Sequence, residues 1–457
     1  MTSVSILATV CKKEISAKPV FAIIALIDQQ NEERFPVAIP EKWLDSYCDV
    51  ILKVGLNLQP GQPIVIGAGP EMFRTPIESR PFIHRLTQRA YDHGASEVEV
   101  HWFDPVIARL HKERGSVERL AEYDEWKADR FLQAAKKDAA FIMTYAPDPS
   151  LYNGIAAERL DAYRKAELAA LAPFRRLYHG TMEVSWTVAS VVTTEWASRV
   201  FPEVSVTEAK EKLWGLLLKA VRADQEDPIA AWEQHLGHLR KRQQYMNDRQ
   251  FKELRYEAPG TRLTVGLPDK HLWISGATTT NGKGIPYSPN VPTEEIFTSP
   301  DRSRTSGTVR STLPLSYGGR LIRDLAFRFE QGKIVEATAD LPADELASVL
   351  GLDHDEGARY LGEIALVPQR SPIAELNTVF YNTLFDENAS CHLAFGGGFP
   401  TAIEGGAGLP SDEVLSRGVN VSAVHVDFMM GSSELQIDGV TAAGEIVPLF
   451  RNGNWVV

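Results

Sequence analysis

A histidine and an aspartate two residues apart lie in the apolar segment Val424–Phe428 near the end of the chain. On a β-strand, residues two apart share a face, so His425 and Asp427 point to one side and the apolar side chains point to the other. Each of these groups needs a partner, because burying an unpaired carboxylate or imidazolium is costly. A bound metal ion is one such partner, and a structural pairing with each other or with backbone groups is the alternative.

Other segments also carry side chains of the ligand type. In the apolar run Tyr360–Pro368 the charged residue is Glu363, at a position where a lone glutamate is rarely found without a partner. Oxygen and imidazole donors suit Zn, Mn or Co, and several carboxylates can hold two metal ions with one carboxylate bridging them. Each segment taken alone is also consistent with a structural ion pair. The remaining residues of this kind are Glu294, Glu295, Glu387 and His392.

Two other groupings imitate functional sites. Glu233, His235 and His238 share a predicted helix, but the HExxH spacing of a zinc peptidase is absent, so we expect a solvated helix face. Cys391 beside His392 resembles a nucleophile with its base. Adjacent residues of a strand face opposite sides, so the sequence favours a buried structural thiol at Cys391.

The elements that must position the candidate ligands change in type along the chain. Between residues 41 and 255, short apolar strands such as Ile64–Ile66 alternate with helical segments, which is typical of an α/β domain. After a long helix predicted from Asp227, short strand-like runs separated by Gly, Pro and Asp turns predominate. The pattern predicts an α/β N-terminal domain (41–255) and a strand-rich α+β C-terminal domain (256–457) carrying the metal site. Residues 1–40 are predicted to be a disordered N-terminal extension.

Composition and charge exclude several classes of protein. Of 457 residues, 44% are hydrophobic and 24% charged, as in soluble globular proteins. The net charge of −12 disfavours binding to nucleic acid or to an anionic membrane surface. Three cysteines without a CxxC pair argue against a disulfide framework and favour a cytoplasmic location. The apolar run Val20–Ile27 is too short to span a membrane, and no signal-peptide cleavage pattern follows it.

Taken together, these segments resemble the M29 family of metallo-aminopeptidases, of the aminopeptidase T and aminopeptidase S type. The resemblance covers roughly residues 41–457 and is densest in Pro292–Glu295, Gly362–Glu363, Leu384–Asn388 and His425–Gly431. It implies a homodimer that hydrolyses the N-terminal residue from peptides through a water bridging two divalent ions, of Zn, Co, Mn or Mg. Glu363 is expected to bridge both ions. The ligands that the resemblance implies are Glu295, Glu363, Glu387, His392, His425 and Asp427.

Three further residues are candidates for the site. The family has a tyrosine seven residues after the first ligand histidine, where this chain has Phe399. A hydroxyl that would hold substrate or stabilise an oxyanion is therefore missing. Tyr381 is the candidate substitute for that hydroxyl. Glu294 is the candidate general base, because it is adjacent to the expected ligand Glu295.

Two other functions remain open at the level of sequence. His392, His425 and Asp427 alone would form the ligand set of a mononuclear non-haem iron oxygenase, such as a ring-cleaving dioxygenase of dihydroxypyridine. The additional glutamates of the expected ligand set, which a mononuclear site does not need, favour the peptidase. The third function, a metal-binding protein without catalysis, depends on the missing hydroxyl at Phe399.

Overall fold

Helices and short strands alternate in the first half of the protein. A computed structural model describes residues 39–317, 320–352 and 355–457. The predicted disorder of residues 1–40 therefore falls almost wholly outside the described residues. The longest of the described helices begins at Pro228. The side chain of Asp227 accepts a hydrogen bond from the backbone N–H of Ala230 and caps this helix. The α-helices are α1 (Glu41–Asp49), α2 (Arg80–Asp92), α3 (Pro105–Arg114), α4 (Val117–Leu120), α5 (Glu125–Lys136), α6 (Ala157–Arg175), α7 (Thr194–Val200), α8 (Val206–Ala220), α9 (Pro228–Arg249), α10 (Ala343–Val349), α11 (Thr383–Asp386) and α12 (Ser411–Ser416).

Strands predominate after α9. Two π-helical segments, Val50–Gly55 and Arg176–Gly180, continue α1 and α6. The strands are β1 (Ile64–Ile66), β2 (Thr75–Pro76), β3 (Val98–Val100), β4 (Trp102–Phe103), β5 (Ala140–Tyr145), β6 (Trp186–Ser190), β7 (Glu253–Ala258), β8 (Thr261–Gly266), β9 (Asn290–Val291), β10 (Ile296–Thr298), β11 (Thr305–Arg310), β12 (Leu315–Tyr317), β13 (Arg320–Ile322), β14 (Ala326–Glu330), β15 (Lys333–Thr338), β16 (Leu361–Leu366), β17 (His392–Gly396), β18 (His425–Met429), β19 (Gln436–Val440), β20 (Ile446–Arg451) and β21 (Asn454–Trp455).

A five-stranded parallel sheet organises the first half of the described chain. Its strand order is β3-β1-β5-β6-β9, and every pairing in it is parallel. The strand β5 is buried along almost its whole length, which explains its continuous apolar sequence. The edge strand β9 comes from the second half of the chain. The segment that follows β9 therefore starts beside the parallel sheet.

Two antiparallel sheets organise the second half. One has eight strands in the order β15-β14-β11-β8-β7-β19-β20-β21, and the other has four in the order β10-β16-β17-β18. They share one hydrophobic core. In this core the ring of Phe327, from the larger sheet, lies 5.5 Å from Phe395 and 5.1 Å from Phe428, from the smaller one. One face of the four-stranded sheet is thus buried in the core, and the other face can present polar side chains.

This architecture confirms a mixed α/β chain with a strand-rich second half. The division into domains 41–255 and 256–457 stays a prediction. The apolar segment Leu272–Ile274 is strand-like in sequence, but it forms no strand; of its three residues only Ile274 forms a β-bridge, with Phe297. Among the described helices, none combines the length and the hydropathy that crossing a membrane requires.

Candidate metal centre

The four-stranded sheet places four of the candidate ligands on one face. Ala394 on β17 pairs with Glu363 on β16 and with Asp427 on β18, so the three residues form a row across the sheet. Residues two apart along a strand share its face, which brings His392 and His425 to the same side. The small side chain of Ala394 leaves room between the two carboxylates. The opposite face includes Ile364, Leu393, Phe395, Val426 and Phe428, which all lie in the hydrophobic core.

Five side chains form two overlapping groups, in each of which the ligand atoms lie within 4.8 Å of one another. The first group is Glu295, Glu363 and His392, and the second is Glu363, His425 and Asp427. Nε2 of His392 lies 3.1 Å from Oε2 of Glu295. Nε2 of His425 lies 3.1 Å from Oε2 of Glu363 and 3.3 Å from Oδ1 of Asp427. Glu363 therefore has the position of a carboxylate shared between two sites.

Backbone carbonyls orient both imidazoles. Nδ1 of His392 lies 3.1 Å from the carbonyl oxygen of Ser390, and Nδ1 of His425 lies 2.8 Å from that of Gly397. A carbonyl oxygen can only accept, so Nδ1 donates in both cases. Nε2 faces the carboxylates; it carries a proton in the metal-free cluster and can bind a metal ion once that proton is lost. A carbonyl behind the distal nitrogen is the usual support of a metal-binding histidine.

Gly396 allows the close approach of β17 to β18 opposite His425. Its φ of 106° belongs to the region that favours glycine. A Cβ atom at this position would lie 2.1 Å from the carbonyl oxygen of Val424, closer than any side chain tolerates. A glycine is therefore required where the strand carrying His425 and Asp427 begins.

Two buried carboxylate oxygens of the cluster lack a satisfactory hydrogen bond. Oε2 of Glu295 and Oδ1 of Asp427 are inaccessible to solvent and have no partner of good geometry, although an imidazole nitrogen lies near each of them. An unsatisfied buried carboxylate oxygen is unfavourable, and a cation is the partner that resolves it. Carboxylates and unprotonated imidazoles are donors that divalent ions of the Zn, Mn and Co type accept. The residues present therefore fit a metal centre.

The pKa shifts in the metal-free cluster also indicate that its carboxylates require positive charge. Burial raises the pKa of Glu363 to about 7, and the neighbouring carboxylate of Asp427 adds to this rise. Burial lowers the pKa of His392, but the adjacent carboxylate of Glu295 outweighs this effect and raises that pKa to about 10. Without a metal ion, protons thus supply the positive charge that the carboxylates require.

Glu387 lines the same cavity but lies outside both three-residue groups. It begins the short 3₁₀ turn Glu387–Ala389, directly after α11. Burial, together with the charges of Glu295 and Asp427, raises its pKa well above the usual range. The neighbouring Asn388 accepts a hydrogen bond of 2.6 Å from the backbone N–H of Glu294. This bond ties the segment of Glu387 to that of Glu295.

The structure does not bring Glu294 to the cluster. Glu294 and Glu295 lie in the link between β9 and β10, and their side chains have different surroundings. The carboxylate of Glu294 accepts two hydrogen bonds from Arg222, of 2.6 and 3.0 Å, and it does not line the cavity. A general base must lie within hydrogen-bond reach of the proton that it takes. The proposed role of Glu294 as that base has no geometric support here.

His235 completes the surroundings of Glu294. Its Nε2 lies 2.8 Å from the carbonyl oxygen of Thr293 and 3.6 Å from Oε2 of Glu294, and its side chain is only 10% exposed. The prediction of a solvated helix face is therefore wrong for His235, although Glu233 and His238 are exposed. Helix periodicity did not reveal the partner, because that partner comes from the link between β9 and β10.

Phe399 lies in the site and Tyr381 does not. The ring of Phe399 lines the cavity, 5.3 Å from the ring of His425. Tyr381 lines a separate cavity, with the guanidinium of Arg199 5.5 Å from its ring centre. The structure therefore does not bring the hydroxyl of Tyr381 to the place of the missing family tyrosine.

The cavity above the cluster has a volume of about 480 Å³, within the range of small-ligand sites. Part of its wall comes from the first half of the chain, in residues that the sequence pattern does not single out. His179 stacks on Phe399, with ring centres 5.9 Å apart. Partial desolvation at the cavity wall and the charge of Arg175 lower the pKa of His179, although the residue is exposed. The other wall residues of this group include Arg175, Tyr178, Met182 and Trp186.

Comparison with known proteins decides the family. Residues 41–455 match the model of the thermophilic metalloprotease family M29. The chain belongs to the M29 family. Aminopeptidase 2 of Geobacillus stearothermophilus is 42% identical over 415 residues, which are 91% of this chain and 98% of that protein. Aminopeptidase T of Thermus thermophilus is 40% identical over 415 residues, with the same shares of both chains.

A solved M29 structure has the same fold. Wild-type AmpT from Thermus thermophilus superimposes with a TM-score of 0.84 and 37% sequence identity, over 91% of this chain and all of that chain. This confirms the resemblance that the motifs indicate, and with it the assignment of this M29 chain as a metal-dependent aminopeptidase.

The arrangement of the histidines bears on the oxygenase alternative. A mononuclear triad requires His392, His425 and Asp427 around one ion. Among the described residues, His392 groups with Glu295 and Glu363, whereas His425 and Asp427 form the other group with Glu363. The geometry thus favours two adjacent sites that share a carboxylate.

Proposed function

We propose that this M29 peptidase binds two divalent metal ions side by side and releases the N-terminal residue of peptides with a water held between the ions. The observation that carries the proposal is Glu363, which belongs to both three-residue ligand groups. Glu295 and His392 would hold one ion, and His425 and Asp427 the other. Glu387, which lines the same cavity, would complete the ligand set.

The residues around the ions would bind the substrate and accept the proton of the attacking water. When bound, the ions lower the pKa of water and polarise the peptide carbonyl. A carboxylate of the cavity or a bound ion would bind the amino group of the substrate, which restricts cleavage to the N-terminal residue. The proton of the attacking water passes to a carboxylate oxygen that lines the cavity, since Glu294 is held by Arg222. The ring of Phe399 packs edge-on against His425, with ring centres 5.3 Å apart, and forms part of the cavity wall beside it.

Metal analysis combined with a peptidase assay tests this proposal. The purified protein should contain two metal ions per chain and hydrolyse aminoacyl-p-nitroanilides, but not their N-acetylated counterparts. A chelator should abolish activity, and adding back Zn, Co, Mn and Mg one at a time should identify the ions that restore it. A single iron per chain, with oxygen consumption in the presence of a dihydroxypyridine, would overturn the proposal in favour of the oxygenase.

We also propose a homodimer in the cytoplasm. Apolar side chains on α3 support the dimer, because Val106 and Ile107 are each 65% exposed and Leu110 is 49% exposed. Cys48 and Cys391 are buried free thiols, which suits a reducing compartment. Light scattering should give twice the mass of the chain, and Val106→Asp should reduce it to the monomer mass. A wild-type monomer would contradict the dimer, and recovery of the protein from the medium would contradict the location.

A further inference from the structure

A cationic side chain faces the same cavity as the acidic cluster. Arg175 is the last residue of α6, and His179 follows it by one helical turn in the π-helical segment Arg176–Gly180. Residues four apart lie on one side of a helix, and both Arg175 and His179 line the cavity. The cavity therefore has carboxylates at its base and a guanidinium on its wall.

Arg175 has no carboxylate partner among the residues that the structure describes. Two arginines elsewhere in the described structure are paired. Arg222 contacts Glu294 at 2.6 Å, and Arg74 contacts Glu167 at 3.0 Å. The carboxylates inside the cavity face the two imidazoles of the candidate metal centre. Arg175 is thus available to a carboxylate that enters from outside.

Three neighbouring rings connect the wall segment that follows Arg175 with the candidate metal centre. Ring centres of His179 and Phe399 are 5.9 Å apart, and those of Phe399 and His425 are 5.3 Å apart. An extended chain advances about 3.3–3.6 Å per residue, so two or three residues cover this span. The lining between the charged regions is mainly apolar and accepts side chains; it includes Met143, Met182, Trp186 and Val188.

We propose that Arg175 binds the C-terminal carboxylate of a dipeptide or tripeptide whose N-terminal amino group lies at the candidate metal centre. The enzyme then selects short peptides with a free C terminus. This inference rests on the proposed aminopeptidase function and deepens it by naming the substrate class. Arg175 acts here as a specificity-determining residue, and it takes no part in bond cleavage. A guanidinium suits this task because its fork of N–H donors matches a carboxylate.

A pair of matched substrates tests the role of Arg175. We would measure kcat/KM of the metal-loaded enzyme for Leu-Gly-Gly and for Leu-Gly-Gly-amide, which lacks the terminal charge. The wild type should prefer the free acid by about tenfold, the effect expected of one charge-assisted hydrogen-bonded pair. In Arg175→Met the KM for the acid should rise until the acid and the amide are equivalent. Arg176→Met, which alters an exposed neighbour that does not line the cavity, should keep the wild-type preference.

The outcomes separate this inference from the proposed function. Equal kcat/KM for acid and amide in the wild type, or an unchanged preference in Arg175→Met, would overturn the role of Arg175 and leave the aminopeptidase intact. Hydrolysis of neither peptide by the metal-loaded wild type would contradict the function itself. Activity of Arg175→Met toward the amide shows that the variant is folded.

Discussion

At the scale of single residues, Glu363 differs from the other candidate ligands because it alone belongs to both groups. We predict that Glu363→Gln loses both metal ions and all measurable activity, since an amide cannot supply a negative charge to two cations. Glu295→Gln should lose only the ion on its own side. Metal content by plasma mass spectrometry after gel filtration distinguishes the two variants. Equal metal loss in both would contradict a shared carboxylate.

The two adjacent glutamates should respond very differently to mutation. Glu294 is bound by Arg222 outside the cavity, so Glu294→Gln should keep kcat within about threefold of the wild type, against the hundredfold or greater loss expected of a general base. Arg222→Met leaves the carboxylate of Glu294 buried and unpaired, so it should destabilise the protein by about 3 kcal/mol. Steady-state kinetics and urea denaturation measure these effects. A hundredfold fall of kcat in Glu294→Gln, with metal retained, would restore Glu294 as the base.

At the scale of elements, the two faces of β17 have separate tasks. Ala394 lies between Glu363 and Asp427, so the larger side chain of Ala394→Val should push the two carboxylates apart. Metal content and kcat/KM should then fall by at least about tenfold. The free energy of unfolding should fall by only about 1–3 kcal/mol. Leu393→Ala, on the core face, should cost about 2–5 kcal/mol while metal binding at low temperature persists. Metal analysis and denaturation of both variants test the contrast. If Ala394→Val and Leu393→Ala showed the same ratio of metal loss to stability loss, the separate roles of the two faces would be contradicted.

The contact between α1 and α2 should depend on pH. Asp49, the last residue of α1, accepts hydrogen bonds from Arg89 and His93, which outweigh the effect of burial and lower the pKa of Asp49 below its usual value. A lowered carboxylate pKa adds stability above the ordinary pKa, and this stability is lost as the pH falls through the folded-state pKa. Asp49→Asn should therefore cost about 0.5–1 kcal/mol at pH 7 and progressively less below about pH 4. Thermal melts of both proteins across this range measure the difference. A difference that does not change with pH would contradict the assignment.

At the scale of the whole molecule, the metal centre joins distant parts of the chain. Its side chains come from the link after β9 and from β16, β17 and β18, so metal binding should stabilise the assembled fold. A ligand present at about 100 times its Kd stabilises a protein by about 2.7 kcal/mol. We therefore expect chelation to lower Tm by several degrees and metal addition to restore it. This coupling would be contradicted if chelation left the Tm of the wild type unchanged and the Glu363→Gln variant had that same Tm.

Local patterns in the sequence determined much of this protein. Alternation along Val424–Phe428 predicted the shared face of His425 and Asp427, because a strand repeats every two residues and one face must be apolar to join a core. The change from alternating helices and strands to short strands predicted the mixed architecture. These features follow from backbone geometry and hydrophobic burial, which act between near neighbours in the chain.

Only the tertiary structure decided which side chains meet. Glu294 and Glu295 are adjacent residues of the same type, yet Glu294 pairs with Arg222 and Glu295 faces His392. Tyr381 faces a different cavity from Phe399. Arg175 reaches the site from a helix that no motif marks. Such contacts depend on how α6, α8 and the two kinds of sheet pack together. That packing depends on many residues that are far apart in the sequence, so no local spacing predicts it.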